Sequence, residues 1–343
     1  MIKFKRAAAF FTAVVLTGTM FVSCKKDEES SSSKTESDSS AVSSSEAESS
    51  SAATEDSEDE DYAYPMDKFT DITQIAVALN DVVGLKKDGT VVSSDGTEID
   101  VSSWSDISKI DCTLNAVFGL KNDGTVVACS DSSDLKVTDE DISAWKDLTD
   151  IACGDYFTVG LQKDGKAVYC YAQNQDAQGL QLDDISEWSD IKQIDAGSDF
   201  AAALKSDGTV VVSGAATCID KAQVSEWKDV TAIYCTQYDI IAVTKSGDAY
   251  LSNPLLVQES DGTLNLIDED GFWNDGWSQA ALYTSRNSSF IIGVTEDGKV
   301  MTTEKNKFAE CENWTDLVDV DYTYQGNSVF GVLSDGTVIS IGN

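Results

Sequence analysis

The sequence predicts an all-β fold, a seven-bladed β-propeller built from four-stranded antiparallel blades. From Phe69 onward, an aromatic residue is followed 20 to 22 residues later by a glycine, and this unit occurs seven times. Within each unit, short runs that alternate apolar and polar residues are separated by tight turns, most of them Asp-Gly, as in antiparallel hairpins. Many repeats of one small β-sheet are typical of a propeller.

Each repeat has two structural anchors, the aromatic residue at its start and the glycine in its turn. The aromatic residues are Phe69, Trp104, Trp145, Trp188, Trp227, Trp277 and Trp314, and the glycines are Gly89, Gly124, Gly165, Gly208, Gly247, Gly298 and Gly336. A binding site has no reason to recur at one register in every unit, so we interpret the aromatic residues as buried anchors. In six units an aspartate stands two residues after the aromatic, and we interpret it as a turn and capping acceptor.

A small residue also recurs, five positions before each turn glycine. It is Gly84, Gly119, Gly160, Ala203, Ala242, Gly293 or Gly331.

Each unit predicts one strand after the aromatic, a second that ends at the turn and a third after it. In the first unit Thr97–Val101 predicts a fourth strand. We expect residues 62–68 to pair beside 337–341 and so to close the ring.

The segments 188–197 and 203–212 resemble the repeat of the regulator of chromosome condensation family, in its short bacterial form. The resemblance covers 69–343 and implies a seven-bladed propeller. WD repeats fit less well, because they need a Gly-His pair and the chain has no histidine. Exported bacterial propellers of this kind include a β-lactamase inhibitor, which binds its enzyme through aromatic and acidic loops on one face. The resemblance therefore implies a protein-binding propeller.

Residues 1–23 predict a lipoprotein signal peptide. Lys3, Lys5 and Arg6 form a basic start, a largely apolar run follows, and Ser23 precedes Cys24, which we expect to be lipidated. Residues 24–61 predict a disordered tether, because 25–61 hold 14 serines, 13 acidic residues and no aromatic residue. The propeller then spans 62–343. This order predicts a bacterial protein anchored by lipid alone to the outer face of the cell membrane.

Composition excludes several chemistries. The chain has no histidine, and its two arginines are Arg6 and Arg286. Serine–histidine triads, histidine-ligated metals and arginine clusters that hold phosphate are therefore excluded, and we expect no metal and no cofactor. The formal net charge of −36 disfavours nucleic acid as a partner.

The cysteines follow the repeat. Cys112, Cys153 and Cys235 each lie eight residues after their tryptophan, which predicts buried core thiols. Cys218 and Cys311 stand outside the repeated positions, and the sequence leaves their pairing open. An insertion over 253–276 predicts an extra or elongated hairpin.

Candidate binding residues lie in the loops between the first and second strand of each unit, because these loops do not repeat. They are Asn115, Asp155, Tyr156, Asp199, Tyr238, Asp239, Arg286, Tyr324 and Asn327. Tyrosine, asparagine and arginine side chains are common at recognition surfaces. In an antiparallel blade these loops emerge on the face opposite the repeated turns.

The function predicted is therefore a monomeric binding module for an unknown extracytoplasmic protein or glycan, and not an enzyme. Two alternatives remain open at this point. The chain could be a structural envelope protein without a discrete ligand. It could also be a polysaccharide hydrolase or lyase that uses paired carboxylates, the catalytic device that this composition allows.

Overall fold

The computed structural model describes residues 65–78, 81–94, 99–130, 142–171, 179–246, 249–252, 256–258, 264–266, 280–284, 291–295, 298–302, 309–323 and 328–342. These residues belong to one compact unit. They form seven three-stranded antiparallel sheets and one two-stranded hairpin. In each three-stranded sheet the strands follow one another in chain order, as consecutive hairpins do.

The strands begin and end close to where the repeats predict them. They are β1 (Ile72–Val77), β2 (Val82–Lys86), β3 (Val91–Ser93), β4 (Ile107–Cys112), β5 (Ala116–Lys121), β6 (Val126–Ser130), β7 (Leu148–Cys153), β8 (Phe157–Gln162), β9 (Ala167–Tyr171), β10 (Ile191–Ala196), β11 (Phe200–Lys205), β12 (Val210–Gly214), β13 (Val230–Cys235), β14 (Ile240–Thr244), β15 (Ala249–Leu251), β16 (Leu256–Gln258), β17 (Leu264–Leu266), β18 (Ala280–Thr284), β19 (Ile291–Thr295), β20 (Val300–Thr302), β21 (Leu317–Tyr322), β22 (Ser328–Leu333) and β23 (Val338–Gly342). The hairpin of β16 and β17 lies in the insertion and confirms that part of the prediction.

The predicted fourth strand differs from what the structure shows. In the first unit, residues 99–101 form no strand, and 95–98 lie outside the described residues. Elsewhere the segment before the tryptophan is a short helix: a 3₁₀ helix at Asp183–Glu187, α1 at Lys221–Ser225 and a 3₁₀ helix at Ala309–Asn313. Each buries one residue, and in α1 the Asp220 carboxylate caps the first turn by accepting from the N–H groups of Ala222 and Gln223.

Five of the seven aromatic anchors are buried. Phe69, Trp104, Trp145, Trp188 and Trp227 lie in the core, Trp314 is half-buried against it, and Trp277 lies outside the described residues. The small residue of the repeat makes room for the ring. A Cβ atom at Gly119 would lie 2.8 Å from the Trp104 ring, and one at Gly84 would lie 2.9 Å from the Phe69 ring.

The turn glycines join one sheet to the next. Gly89 accepts a hydrogen bond from the N–H of Ile107 at 3.0 Å, and Gly165 accepts one from Ile191 at 2.9 Å. The residue before each receiving strand is the repeated aspartate, and Asp106 and Asp190 both have φ near 60°. Aspartate tolerates this left-handed backbone better than most residues. Its repeated role is therefore the backbone conformation of a turn, a role that the interpretation as a turn and capping acceptor gave only in part.

The same link joins the last sheet to the first. Ile72 donates its N–H to the carbonyl of Gly336 at 3.1 Å, and Phe330 of β22 packs in one cluster with Phe69. The strand expected over 62–68 is not present at 65–68, which form a turn closed by a 3.0 Å bond from Phe69 N–H to the carbonyl of Met66. Residues 62–64 lie outside the described residues. The junction between the last sheet and the first, which we call the seam, is thus closed by contacts other than the predicted strand.

The repeated cysteines are core residues, as predicted. Cys112, Cys153 and Cys235 are buried in hydrophobic clusters with the strands around them. Cys311 is a buried free thiol, and burial raises its pKa to about 12. The repeat positions therefore use cysteine as a small apolar side chain.

Candidate functional site

The direction of the strands gives the sheets two distinct edges. The first strands of successive sheets lie next to one another. Strand β4, for example, contacts both β1 and β7. At one edge lie the Asp-Gly turns and the links between sheets, which we call the turn face. At the other lie the loops between first and second strands, which we call the loop face; the structure describes those at 113–115, 154–156, 197–199 and 236–239. The predicted binding residues of the second to fifth sheets belong to the loop face.

Backbone hydrogen bonds join four of these loops into one track. The N–H of Leu114 donates to the carbonyl of Asp155 at 3.3 Å, and the N–H of Asp155 donates to Ser198 at 3.3 Å. Ser198 in turn donates to the carbonyl of Gln237 at 3.0 Å. These loops are therefore held by their neighbours as well as by their own strands.

Asp155 is a joint within this track and not a surface residue. It is 5% exposed, and its Oδ2 accepts a short hydrogen bond from the hydroxyl of Ser198 in the next loop. The prediction that Asp155 binds a ligand placed its side chain at the surface, and that placement was wrong. A carboxylate that bridges two neighbouring loops stabilises their arrangement and offers little surface to a partner.

Asp199 and Asp239 also form local contacts. Oδ2 of Asp199 accepts from the N–H and the hydroxyl of Thr217 at 3.1 and 2.8 Å. Oδ2 of Asp239 accepts from the hydroxyl of Thr236 at 3.3 Å. Both residues are half-buried, so these bonds order the loops while leaving part of each carboxylate at the surface.

Tyr238 is the most exposed of the predicted binding residues that the structure describes. It is 45% exposed, whereas Tyr156 and Asn115 are half-buried and Tyr156 packs against the core of the neighbouring sheets. The Tyr238 backbone is fixed by a 3.2 Å bond from its N–H to the hydroxyl of Thr236. Arg286, Tyr324 and Asn327 lie outside the described residues. The structure thus brings together the candidates of the second to fifth sheets.

A second polar group, absent from the sequence prediction, lies along the first strands. We call it the axial cluster, and it comprises Gln74, Lys109, Asp111, Asp150, Gln193, Asp195, Tyr234, Asp319 and Asp321. Each occupies the third or fifth position of its strand. The signal was present in the sequence, since polar residues recur at these two positions of the first strands, but an alternation of apolar and polar residues by itself predicts that the polar side chains face solvent.

Most of the axial cluster binds the backbone of the next sheet. Gln193 donates to the carbonyl of Ile233 at 2.7 Å and accepts from its N–H at 3.0 Å. Gln74 contacts Ile110 in the same way, at 3.0 Å for both bonds. Asp111 accepts from the N–H of Cys153 at 2.9 Å. These side chains act as cross-links between sheets.

The charges of the axial cluster centre on Lys109. Its ammonium group forms a short ion pair with Asp150 and donates to the carbonyl of Ile151 at 2.9 Å. Burial acts to lower the pKa of Lys109, but the charges of Asp150, Asp111 and Asp195 outweigh it, so that pKa is raised. Lys109 therefore stays charged and offsets part of the negative charge around it.

Asp195 shows what the carboxylates here can do chemically. Its Oδ1 accepts from Ala196 N–H at 2.8 Å and its Oδ2 from Cys235 N–H at 2.7 Å. Burial, opposed by these two bonds, raises the pKa of Asp195 to about 7. Both oxygens already hold backbone groups, which suits a structural cross-link better than a proton donor to a substrate. Among the described residues, no group of three or more acidic or cysteine side chains could hold a metal ion.

Comparison with solved structures identifies the fold as a β-propeller. The ectodomain of the receptor kinase CR4 from Physcomitrella patens matches with 14% identity and a TM-score of 0.53, over 78% of this chain and 72% of that one. The CRINKLY WD40 ectodomain of the receptor kinase ACR4 from Arabidopsis thaliana matches with 15% identity and a TM-score of 0.52, over 78% and 96%. Identities this low establish the fold alone.

The remaining comparisons establish neither a family nor a function for the chain. Prp20p from Saccharomyces cerevisiae matches with 14% identity and a TM-score of 0.46, over 66% of this chain and 70% of that one. No family model and no curated protein matches the chain. Within the described residues, no helix has the length and apolar character needed to cross a membrane.

Proposed function

We propose that the chain is a seven-bladed propeller of the regulator of chromosome condensation type that binds a protein or glycan outside the cell through its loop face. The seven described sheets and their repeated links support one ring with a blade for each repeat. The two most similar structures named above are receptor kinase ectodomains, which is compatible with a propeller displayed outside a cell.

The observation that carries this proposal is the track of loops on the loop face. Its backbone is fixed by bonds between neighbouring loops, and Tyr238 stands out from it with 45% of its surface exposed. Fixed loops lose little conformational freedom when they bind, which favours affinity. An exposed tyrosine on a fixed backbone is a common anchor in protein recognition.

The test is capture of a ligand from envelope extract by the full-length chain, beside Tyr238→Ala and the turn-face control Asp207→Ala. We expect wild type and Asp207→Ala to retain the ligand and Tyr238→Ala to lose most of it. Protease treatment of the extract should abolish capture of a protein, and periodate oxidation should abolish capture of a glycan. Equal capture by all three chains would argue against the loop face, and no capture would favour a structural envelope protein.

We further propose that the protein has no catalytic activity. The hydrolase alternative needs two carboxylates free to exchange protons with a substrate and water. In the axial cluster, Asp195 and Asp319 each bind backbone N–H groups of a neighbouring sheet. Release of reducing sugar from envelope polysaccharide by wild type, and not by Asp195→Asn, would overturn this proposal.

The place of the propeller is also a proposal. The signal peptide of 1–23, the lipidated Cys24 and the tether of 24–61 would hold the domain at the outer face of a bacterial cell membrane. Metabolic labelling with a fatty-acid analogue should mark wild type and leave Cys24→Ala unmarked. Label retained by Cys24→Ala would refute lipidation.

A further inference from the structure

We propose that the first and last sheets are held together near the axis by a protonation-controlled latch, made of Asp319 and Asp321 of β21. Oδ2 of Asp319 accepts the N–H of Ile75 at 2.8 Å, and Oδ2 of Asp321 accepts the N–H of Val77 at 2.8 Å. The residues joined are 244 positions apart in sequence. The latch therefore acts at the one seam that no chain connection bridges.

This seam differs from the other junctions in its charge. At the third and fifth strand positions, the first sheet has Gln74 and Ala76, the third has Asp150 and Ala152, and the fourth has Gln193 and Asp195. The second has Lys109 and Asp111, and the fifth has Ala232 and Tyr234. In the sixth sheet, pairing of Leu282 with Gly293 places Ala281 and Tyr283 there. Only the last sheet has a carboxylate at both positions.

Among the described residues, few groups offset the charge of Asp319. On its own strand Asp319 has Asp321 two residues away, and the cation that acts on it is Lys109 of β4. Of the other strands packed against β21, β1 supplies the neutral Gln74, β22 and β19 have no titratable residue, and β18 has Tyr283. Asp319 is 8% exposed, so water screens it little.

Burial, together with the neighbouring Asp321, raises the pKa of Asp319 to about 8, against the lowering effects of the Ile75 N–H, the Val320 N–H and Lys109. The folded chain thus holds a proton that the unfolded chain releases near its ordinary value of 3.8. The stability that this proton contributes is fully present below the unfolded pKa and is lost as the pH rises through about 8. Protonation removes the repulsion between Asp319 and Asp321 while Oδ2 still accepts from Ile75. The latch therefore tightens as the pH falls.

The chain itself suggests the variant that tests this. Gln74 and Gln193 occupy the same strand position and bind both the N–H and the carbonyl of the next sheet, so Asp319→Gln should keep the cross-link and remove the charge. We compare denaturant unfolding of the full-length wild type and Asp319→Gln from pH 6 to pH 8.5. The wild-type unfolding constant should fall by up to about tenfold for each pH unit as the pH is lowered, relative to the variant.

Two further measurements distinguish an effect at this seam from a general effect of pH on the protein. Amide exchange of the segment 72–77 should speed up in wild type as the pH rises from 6 toward about 8, after correction for intrinsic rates, and should not do so in Asp319→Gln. The reciprocal change Gln193→Glu should introduce a new pH dependence at the junction of β10 and β13. If Asp319→Gln fails to fold, Asp319→Asn replaces it in the same comparison. Parallel pH profiles for wild type and the neutral variant would overturn the latch.

Discussion

The turn face and the loop face are built from the same strands but follow different rules. On the turn face one link recurs, from the carbonyl of a turn glycine to the N–H that opens the next sheet, as between Gly89 and Ile107 or Gly336 and Ile72. On the loop face the backbone links from Leu114 through Asp155 and Ser198 to Gln237 also recur, but the side-chain contacts differ from loop to loop. Asp155 bridges to Ser198 there, whereas Asp199 bonds to Thr217 of its own sheet.

This difference separates residues that hold the fold from residues that can vary. A link that serves every sheet must keep the same residues at the same register, and the repeat records that constraint. The loops need only reach their neighbours, so their side chains differ from sheet to sheet. Function has room to vary on the loop face. We therefore expect substitutions in the turn-face links to lower stability, and substitutions of exposed loop-face side chains to lower binding.

The largest effect should follow loss of an aromatic anchor. Trp227 is 1% exposed and stacks on Tyr250 with ring centroids 5.4 Å apart. Trp227→Ala should lower the free energy of unfolding by about 3–5 kcal/mol, because it leaves a cavity in the core. The half-buried Trp314 is the matched control, and Trp314→Ala should cost less. Denaturant unfolding measures both, and a Trp227→Ala loss below about 1 kcal/mol would contradict its role as an anchor.

A smaller loss of unfolding free energy should follow the addition of a methyl group at a turn glycine. Gly124 has φ +80°, and a Cβ atom there would lie 3.0 Å from the backbone of Asp147 and Leu148. Gly124→Ala should therefore cost about 1–3 kcal/mol of unfolding free energy. Gly179→Ala is the control, since a Cβ atom there meets nothing within 4 Å. Equal stability of the two variants would mean that the turn link is not tight.

On the loop face, removal of the joint between two loops should cost less again. Asp155→Ala deletes the acceptor of the half-buried Ser198 hydroxyl and removes the bridge between the two loops, a loss of about 1–2 kcal/mol. Ser198→Ala removes the other half of the same bond. In a double-mutant cycle the two losses should not add, because they share one interaction. Additive losses would show that the bridge contributes nothing to stability.

The smallest effect on stability should come from Tyr238. Because it is 45% exposed, Tyr238→Ala should change the free energy of unfolding by less than about 0.5 kcal/mol. Its effect on the proposed binding should be larger, a loss of about 1–2 kcal/mol in affinity for the captured ligand. Calorimetric titration of the ligand gives the second value. Unchanged affinity together with lower stability would reverse the role proposed for this residue.

The sequence predicted the parts of the structure that repeat. Trp227 and Gly124 could be placed because their register recurs, and the need for space beside an aromatic ring explains Gly119. Asp155 was misplaced because burial of a loop side chain depends on the next loop, 43 residues away. The predicted fourth strand was wrong where a short helix such as α1 leads into the tryptophan, since five residues are too few to show a helical period.

The axial cluster and the seam could not be predicted for a related reason. The alternation of apolar and polar residues in β21 predicts that Asp319 faces solvent. Its partner Ile75 lies at the other end of the domain's sequence, 244 positions away. A repeat shows which residues play equivalent parts in each sheet. It does not show which side chains meet when the last sheet comes beside the first.

The most direct test of the central claim is photo-cross-linking from the two faces. A photoreactive phenylalanine analogue is placed singly at Tyr238 on the loop face and at Asp207 on the turn face of the full-length chain, in cells that produce it. We expect a discrete adduct from position 238, of the same mass as the captured ligand bound to the chain, and none from position 207. Adducts from position 207 alone would contradict the assignment of binding to the loop face.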